Sequence, residues 1–457
     1  MNNPFIAWIL IETIPDSHLN SLVNLNYIGF IDKFWQKKIK VIQESDHATS
    51  IDILHSVRLV GLQAIKERKG IPLKFNVKEY EFPIVSGLIN SRELFAKALK
   101  IKSKQIIPHL TNKLKNLIDY TYVNNAPFKE NEFKLNKNGD LSKFLPVIDF
   151  YGGRKYTTSS IVIVKYPNEE RFNASFHRMM FLGNNKFAIR IVPQRHLDIT
   201  YNHSIKEGKD LKVAVIFGVH PAIEIASAFS TPALDELKLA SSFINGLNVF
   251  ELENGIIVPA NAEFVLEGRI LDQLTEEGPF IDLTGTPDII RKQPILEVDK
   301  LYHRKDPIFR TILPGGSEHK MLMGIPQEPR IFKSVSNTIG TIKDVILTPG
   351  GSSWLHAVVQ IQKRTEGDPK NTILATLAAH PSLKRVIIVD EDIDITSSDD
   401  VEWAIATRVQ PDKDLVLIPN SKGSSLDPSS NNSITCKWGI DATKPLKNNQ
   451  EFNRVKF

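Results

Sequence analysis

The chain has 457 residues, more than one hydrophobic core usually organises, so two or three domains are expected. Hydrophobic residues at 42% and charged residues at 24% describe an ordinary globular protein, and a net charge of +5 is too small at this length to point to nucleic acid. One cysteine, Cys436, excludes an intrachain disulfide framework and a cysteine-based zinc site.

In chain order, the opening Met-Asn-Asn-Pro has neither a basic n-region nor a small-residue cleavage site. It predicts no secretory signal, and with the lone thiol it suggests a cytoplasmic setting. From Asp46 to about Asn116 helices alternate with short strands, as an N-terminal α/β domain would. Ile51 to Val60 has helical apolar spacing, and Ser91 is a good N-cap for the helix that follows. The polar stretch from Asn124 to Asp140 reads as a boundary. Strand-like runs follow at Ser159–Lys165, Arg171–Leu182 and Lys186–Val192, predicting a barrel or a strongly bent sheet. Val213 to Leu234 is the most apolar long run, but His220, Pro221, Glu224 and Pro232 interrupt it. It reads as a buried strand leading into a helix, with no stable membrane insertion. Helical spacing returns at Ala222–Ser230 and Leu234–Phe243, before more strands. After about Pro329 an α/β pattern resumes, with strands at Val345–Leu347, Ala357–Ile361 and Arg385–Asp390 and a helix through Ile373–His380. The continuous apolar run of Arg385–Asp390 suits a strand of a parallel sheet buried on both faces. The tail after Asp441 is polar and reads as loosely packed. The expected domains are 1–123, 124–328 and 329–457.

The chemistry-bearing residues are few. Glu277-Gly-Pro-Phe-Ile-Asp282 sets two carboxylates around a Gly-Pro turn beside Phe280. Partial desolvation there would raise a carboxyl pKa towards working pH, as a proton-transfer site needs. A surface turn with ordinary acids fits the same hexapeptide. The Gly152-Gly153, Gly315-Gly316 and Gly350-Gly351 pairs allow close backbone approach to a ligand, though most such pairs are turns. No GxGxxG after a strand, no P-loop motif and no HExxH is present. Asn173 and Arg178 lie on a predicted strand, and Arg195-His196 follows the next one. With a carboxylate, Asn173 and His196 would suit Mg²⁺ or Mn²⁺ held against a phosphate; Glu236 is the nearest candidate and Asp235 its rival. A satisfied loop histidine is the plainer reading of His196. Asn173 and Arg178 differ by an odd number, so a regular strand would point them to opposite faces, and one shared site requires a bulge or bend.

Several ordered stretches together carry a family resemblance. They are Phe75-Asn-Val-Lys-x-Tyr-x-Phe-Pro, Asn173-Ala-Ser-Phe-His-Arg-Met-Met, Val258-Pro-Ala-Asn-Ala-Glu-Phe-Val-Leu-Glu-Gly and Glu277-Gly-Pro-Phe-x-Asp-x-Thr-Gly. To these add Ile312-Leu-Pro-Gly-Gly-x-Glu-His, Val389-Asp-Glu-Asp-Ile-Asp and Gly423-Ser-Ser-Leu-Asp-Pro. In them the chain resembles the UbiD-like decarboxylases, which use prenylated FMN, over most of its length. The resemblance implies an α/β multidomain fold: an N-terminal α/β domain, a central split β-barrel holding the flavin, and a C-terminal α/β domain used in oligomerisation. It implies that Asn173, His196 and Glu236 hold a divalent metal, Mn²⁺ or Mg²⁺, bridging to the cofactor phosphate, with K⁺ a further candidate. Ser175, Phe176, His177, Arg178 and Arg195 would line the flavin. Lys384 would contact phosphate, or is simply a charge before a buried strand.

The family's catalytic trio falls on Arg178, Glu277 and Asp282. Some members carry Glu at the last position, where this chain has Asp. The roles implied are orientation of the substrate carboxylate by Arg178, proton delivery by Glu277, and tuning and re-protonation by Asp282, with coupled pKa values. The resemblance is strongest to the archaeal branch, which includes decarboxylation of trans-anhydromevalonate 5-phosphate to isopentenyl phosphate. Arg154, Lys155 and Arg195 are basic residues consistent with such a small phosphorylated acid. The alternative substrate is a polyprenyl-4-hydroxybenzoate of quinone biosynthesis. A flavin prenyltransferase would supply the cofactor, and a homodimer or homohexamer is expected. From other classes, a non-catalytic flavin-binding scaffold would call for a broken trio, and a metal-dependent hydrolase for more ligands near His196.

Overall fold

The computed structural model describes residues 80–135, 139–447 and 449–455, with the backbone of 40–42 and 72–75. The helix expected at Ile51 to Val60 lies outside the described residues, as does part of the Phe75–Pro83 motif. The chain forms two compact units: residues up to Ser103 with Asn112–Ile281 and Pro287–His319, and Lys104–Thr111 with Asp282–Thr286 and Lys320 onward.

The first unit is built on a ten-stranded sheet. Its order runs Ile148–Tyr151, Arg154–Thr157, Met179–Gly183, Lys186–Ile189, Arg291–His303, Phe264–Glu277, Leu211–Phe217, Ile161–Lys165 and Phe172–Phe176, with Asn131–Lys134 also on Arg291–His303. All these pairings are antiparallel. This order dictates a curl. Phe176 ends the last strand and Met179 begins the third, which a flat sheet would hold roughly 29 Å apart at about 4.8 Å per strand. Three residues span at most about 11 Å. The sheet therefore bends back on itself around an apolar filling that includes Val162, Met179, Phe187, Val215, Phe217, Phe264, Leu296 and Val298. The strongly bent sheet expected from the strand-like runs is thus present.

Local chemistry explains the flanking elements. Leu211–Phe217 is a buried strand that passes into the helix Pro221–Ser227, with His220 Nδ1 accepting from Ala222 N at the cap. Ser91 caps Arg92–Ala98 as expected. The polar stretch read as a boundary contains a strand, Asn131–Lys134, whose Phe133 sits opposite Leu301 and packs against the core. The flanking polar residues hid one apolar contact in a short edge strand. Gly152 and Gly153, both with positive φ, form the tight turn between Ile148–Tyr151 and Arg154–Thr157 rather than a ligand cradle.

The second unit has a five-stranded mixed sheet, in which Arg385–Asp390 runs parallel to both His356–Ile361 and Ile434–Asp441. Val386 and Ile388 enter one apolar cluster while Ile387 and Val389 enter another, so this strand is buried on both faces. Among its described residues the tail is tied down by polar contacts. Lys444 donates its backbone N–H to Asp390 and its Nζ to Asp392 and Asn453, Arg408 reaches Phe452 O, and Arg454 pairs with Asp400. Polar composition signalled a chain held by charge rather than by apolar burial. Among the described residues no helix is long and apolar enough to cross a membrane.

Candidate active site

Arg178 lies in the gap between Phe172–Phe176, which pairs with Ile161–Lys165, and Met179–Gly183, which pairs with Arg154–Thr157 and Lys186–Ile189. His177 N still donates to Ser160 O beside the first ladder, while Arg178 O already accepts from Arg190 N beside the second. The change of ladder is the bend that parity requires, and it removes Arg178 from the regular strand on which it was expected.

Glu277 ends the long strand Phe264–Glu277, and the Gly278-Pro279 peptide bond that follows is cis. Its side chain is fully buried, at 0% exposure, and both of its oxygens accept. Arg178 Nε and Nη2 each donate to one oxygen at 2.9 Å, a fork-to-fork pair. Tyr156 O–H donates to Oε1 at 3.0 Å. Burial, then the charge of Glu277 and this bond, push the Tyr156 phenol well above its ordinary range, so it stays a donor. The Arg178 guanidinium lies 4.6 Å from the Phe280 ring centroid, and Phe280 is buried against Tyr156. The hexapeptide is therefore no surface turn at its first acid.

Arg178 Nη2 also donates to Asp288 Oδ2 at 2.8 Å, and Arg291 clamps the same carboxylate with two bonds of 2.5 and 2.6 Å. Burial would raise the Asp288 pKa, but the Arg291 bonds and the Arg178 charge outweigh it and hold it at about 2. Asp288 was not anticipated. Its signal was the return strand: Pro287–Asp288 pairs with Phe280–Ile281 and brings Asp288 opposite Phe280. The carboxylate of Asp282, the other acid of the motif, accepts from Leu283 N, and its own N–H donates to Thr286 O. Arg190 adds a third, half-buried guanidinium whose pKa is lowered by burial and by Arg291 and Arg178. By contrast Arg154, Lys155 and Arg195 are exposed.

Asn173, His196 and Glu236 do come together. Asn173 Nδ2 lies 3.1 Å from Glu236 Oε2 and 3.3 Å from His196 Nδ1, and His196 Nδ1 lies 3.6 Å from Glu236 Oε1. His196 is the first residue of the helix His196–Lys206 rather than a loop residue, and Arg195 is that helix's N-cap residue, bonded to Ser230 Oγ at 3.0 Å. Asp235 and Glu236, the two rival carboxylates, differ in position. Asp235 caps Glu236–Ile244, accepting from Leu237 N and Lys238 N, while Glu236 turns inward to Asn173.

These residues fit a divalent cation. Glu236 is fully buried, burial raises its pKa, and its Oε1 has no hydrogen-bond partner. A proton count along the strand points the same way. Residues 173, 175 and 177 share one strand face. Ser175 Oγ is 3.0 Å from Asn173 Oδ1 and 2.9 Å from His177 Nε2, yet it has one proton to give. His177 Nδ1 faces the Arg190 carbonyl at 2.8 Å and must donate to it. Burial lowers the His177 pKa to about 4, so at neutral pH the other ring nitrogen is an acceptor that needs the Ser175 proton. Ser175 is then satisfied only if the Asn173 amide turns its NH₂ towards it. That turn aims Oδ1, with Glu236 and His196, at one point, a set of acceptors that a divalent cation would satisfy. Among the described residues no three His, Cys, Asp or Glu side chains form a metal group; here one amide stands beside one imidazole and one carboxylate. Phe176 shares the strand with Ser175. Lys384, in the second unit, pairs with Asp427 at 3.0 Å and bonds to Ser429.

The chain is similar to known proteins over most of its length. Residues 121–317 match the family model of the 3-octaprenyl-4-hydroxybenzoate carboxy-lyase Rift-related domain, and 320–442 match its C-terminal domain, UbiD and UbiD_C. The chain is 48% identical to an anhydromevalonate phosphate decarboxylase of Methanocaldococcus jannaschii, over 82% of this chain and 89% of that one. It is 39% identical to one of Methanothermobacter thermautotrophicus, over 93% and 99%. Among solved structures, the UbiD-class enzyme HmfF of Pelotomaculum thermopropionicum in complex with FMN superposes with a TM-score of 0.85 at 33% identity, covering 94% of this chain and 96% of that chain.

Proposed function

The chain belongs to the UbiD family, and from that membership we propose that it decarboxylates an α,β-unsaturated acid without net oxidation, using prenylated FMN and a divalent metal. The observation that carries the reading is the buried fork of Arg178 on Glu277, with Tyr156 and Phe280 around it. It joins a cation to a shielded carboxyl group where a proton must be delivered.

The substrate favoured is trans-anhydromevalonate 5-phosphate, giving isopentenyl phosphate. Five archaeal relatives bearing the name anhydromevalonate phosphate decarboxylase are 38–48% identical to this chain, against 33% for HmfF. The Arg178, Arg190 and Arg291 guanidiniums cluster with the Glu277 and Asp288 carboxylates, and this gathering of cations suits an anionic substrate.

Asn173, His196 and Glu236 would hold the metal, and Ser175, Phe176, His177, Arg178 and Arg195 the flavin. When bound, the prenylated flavin supplies the electron sink that side chains lack. Arg178 orients the substrate carboxylate, and Phe280 and Tyr156 keep water from it. As CO₂ leaves, the electron pair of the broken C–C bond takes a proton from Glu277 to form the new C–H bond, and water ultimately restores that proton. Asp282 is the family-implied partner in that return, a role resting on the Glu277–Asp282 motif. A flavin prenyltransferase would supply the cofactor, and homo-oligomerisation through the C-terminal α/β domain is part of the same reading.

The test is to co-express the chain with a flavin prenyltransferase and follow CO₂ release from anhydromevalonate phosphate and from 4-hydroxybenzoate derivatives. Turnover of the first is expected; turnover of the second alone would move the substrate to the aromatic class. No turnover of any unsaturated acid by cofactor-loaded protein would end the enzyme reading. Glu277→Gln should keep the flavin absorbance and lose roughly 10²-fold or more in kcat; undiminished kcat would remove Glu277 as donor.

A further inference from the structure

The hairpin that carries Asn173 also carries a tyrosine whose hydroxyl is unanswered. Val164 lies opposite Asn173 and Val162 opposite Ser175, and Tyr166 N continues the ladder by donating to Arg171 O. Side chains alternate along each strand, so Tyr166, Arg171, Asn173 and Ser175 share one face. Arg171 sits over the Tyr166 ring, its guanidinium carbon 3.7 Å from the centroid, and gives its N–H groups to Glu169 and Leu234 O. His196 meets the same ring edge to face, with centroids 5.7 Å apart and planes at 64°. Three bonds tie this hairpin to the start of the helix Glu236–Ile244: Arg171 Nη1 to Leu234 O, Phe172 N to Asp235 and Ala174 N to Glu236. They hold the tyrosine beside the proposed cation ligands.

Tyr166 is 7% exposed, and its hydroxyl oxygen is buried with no hydrogen-bond partner. Glu236 Oε1 is buried in the same condition. Such groups are rare in folded proteins, and each calls for an explanation. Burial, and next the charge of Glu236, raise the phenol pKa above its ordinary range, so the hydroxyl keeps its proton and is a donor. A cation would answer Glu236 Oε1, but a hydroxyl proton needs an acceptor oxygen. A divalent cation held by Asn173, His196 and Glu236 would bring one. Mg²⁺ and ions like it take about six ligands, so three protein atoms leave positions for water or phosphate oxygens.

Resting on the reading that Asn173, His196 and Glu236 hold a divalent cation, we propose that Tyr166 is a positioning residue of that site. Its hydroxyl donates to an oxygen bound to the cation, of water or of a phosphate, and its ring steadies the His196 imidazole. The site is thereby built for a cation together with its oxygen ligand, not for a cation alone.

The experiment uses the full-length protein, with Mn²⁺ as the probe in titration calorimetry, in the presence and absence of FMN. Tyr166→Phe keeps the ring and removes the hydroxyl. Because that hydroxyl has no partner within the protein, the metal-free thermal midpoint should not fall. Mn²⁺ affinity should fall roughly tenfold. A loss already seen with Mn²⁺ alone assigns the acceptor to cation-bound water, and a loss that needs FMN assigns it to the phosphate. Undiminished affinity in both arms would overturn the proposal. A parent protein that binds Mn²⁺ in neither arm would instead overturn the reading beneath it. Should Tyr166→Phe not fold, a crystal structure of the parent with Mn²⁺ and FMN decides. The hydroxyl should then lie about 2.7 Å from an oxygen bound to the metal; a hydroxyl bonded elsewhere would equally overturn the proposal.

Discussion

Ser175 shows how one hydroxyl proton constrains a site. It stands between an amide oxygen and an imidazole nitrogen, both of which ask for its proton. Because His177 must donate to the Arg190 carbonyl, a cation held as proposed by Asn173, His196 and Glu236 would take the amide oxygen and leave the Ser175 hydroxyl to donate to His177. Ser175→Ala removes the group that receives the turned amide, and Mn²⁺ affinity measured by titration calorimetry in the presence of FMN should fall about tenfold, the usual effect of losing an outer-shell partner. Ser175→Thr keeps the hydroxyl and should bind as the parent does. Equal affinity in Ser175→Ala would show that Asn173 needs no such support. Residues of this kind were only partly legible. Asn173, His196 and Glu236 were readable through a family resemblance, since a lone Asn or His carries little signal. Tyr156 and Asp288 were not readable, because their contacts with Glu277 and Arg178 join positions 121 and 110 residues apart through the curl of the sheet. No local pattern encodes a contact of that range.

At the scale of elements, periodicity located strands and helices well and mistook what happens at their ends. The run Arg171–Leu182 looks like one strand, yet it is two, and the chain changes ladder at His177 and Arg178. Parity alone had required a break between Asn173 and Arg178, so its existence, though not its form, was legible. The Leu234–Phe243 helix was expected, but its start decides function. Asp235 satisfies the first N–H groups, which frees Glu236 to face inward. The two neighbours should therefore separate cleanly on mutation. Asp235→Ala loses a cap worth about 1 kcal/mol and should lower the thermal midpoint with metal binding kept. Glu236→Gln should keep the midpoint within a degree or two and lose metal. Reversed outcomes would assign the ligand to Asp235. Gly268 is a second such point, where the two long strands shift register and a Cβ would come within 2.3 Å of Glu297 O. Gly268→Ala should cost about 1–3 kcal/mol by forcing that ladder apart, read as a lower denaturant midpoint; an unchanged midpoint would mean the strands part freely.

For the whole molecule, the buried titratable groups set how stability answers to pH. Burial lowers the pKa of His177, His220 and His356 from 6.5 to about 4 in each case. The unfolded chain takes up these protons near pH 6.5 and the folded one does not until about pH 4. Each histidine therefore removes stability as pH falls through that window, by at most about 1.4 kcal/mol per pH unit. Glu224, Asp235, Glu236, Asp390 and Asp441 act in the opposite sense, because burial raises their pKa values and the folded state binds their protons first. Asp288, at about 2, adds a loss only below the usual aspartate range. The net slope is a difference of these terms, so a single histidine is best read by substitution. His220 caps Pro221–Ser227 through Nδ1, and asparagine can make the same bond without titrating. His220→Asn should match the parent at pH 7.5 and exceed it by about 1–2 kcal/mol at pH 5, measured as the shift in urea midpoint between the two pH values. Parallel loss of stability in both proteins would mean that His220 is charged in the folded state, and that its burial is not what sets the acid limit of this unit.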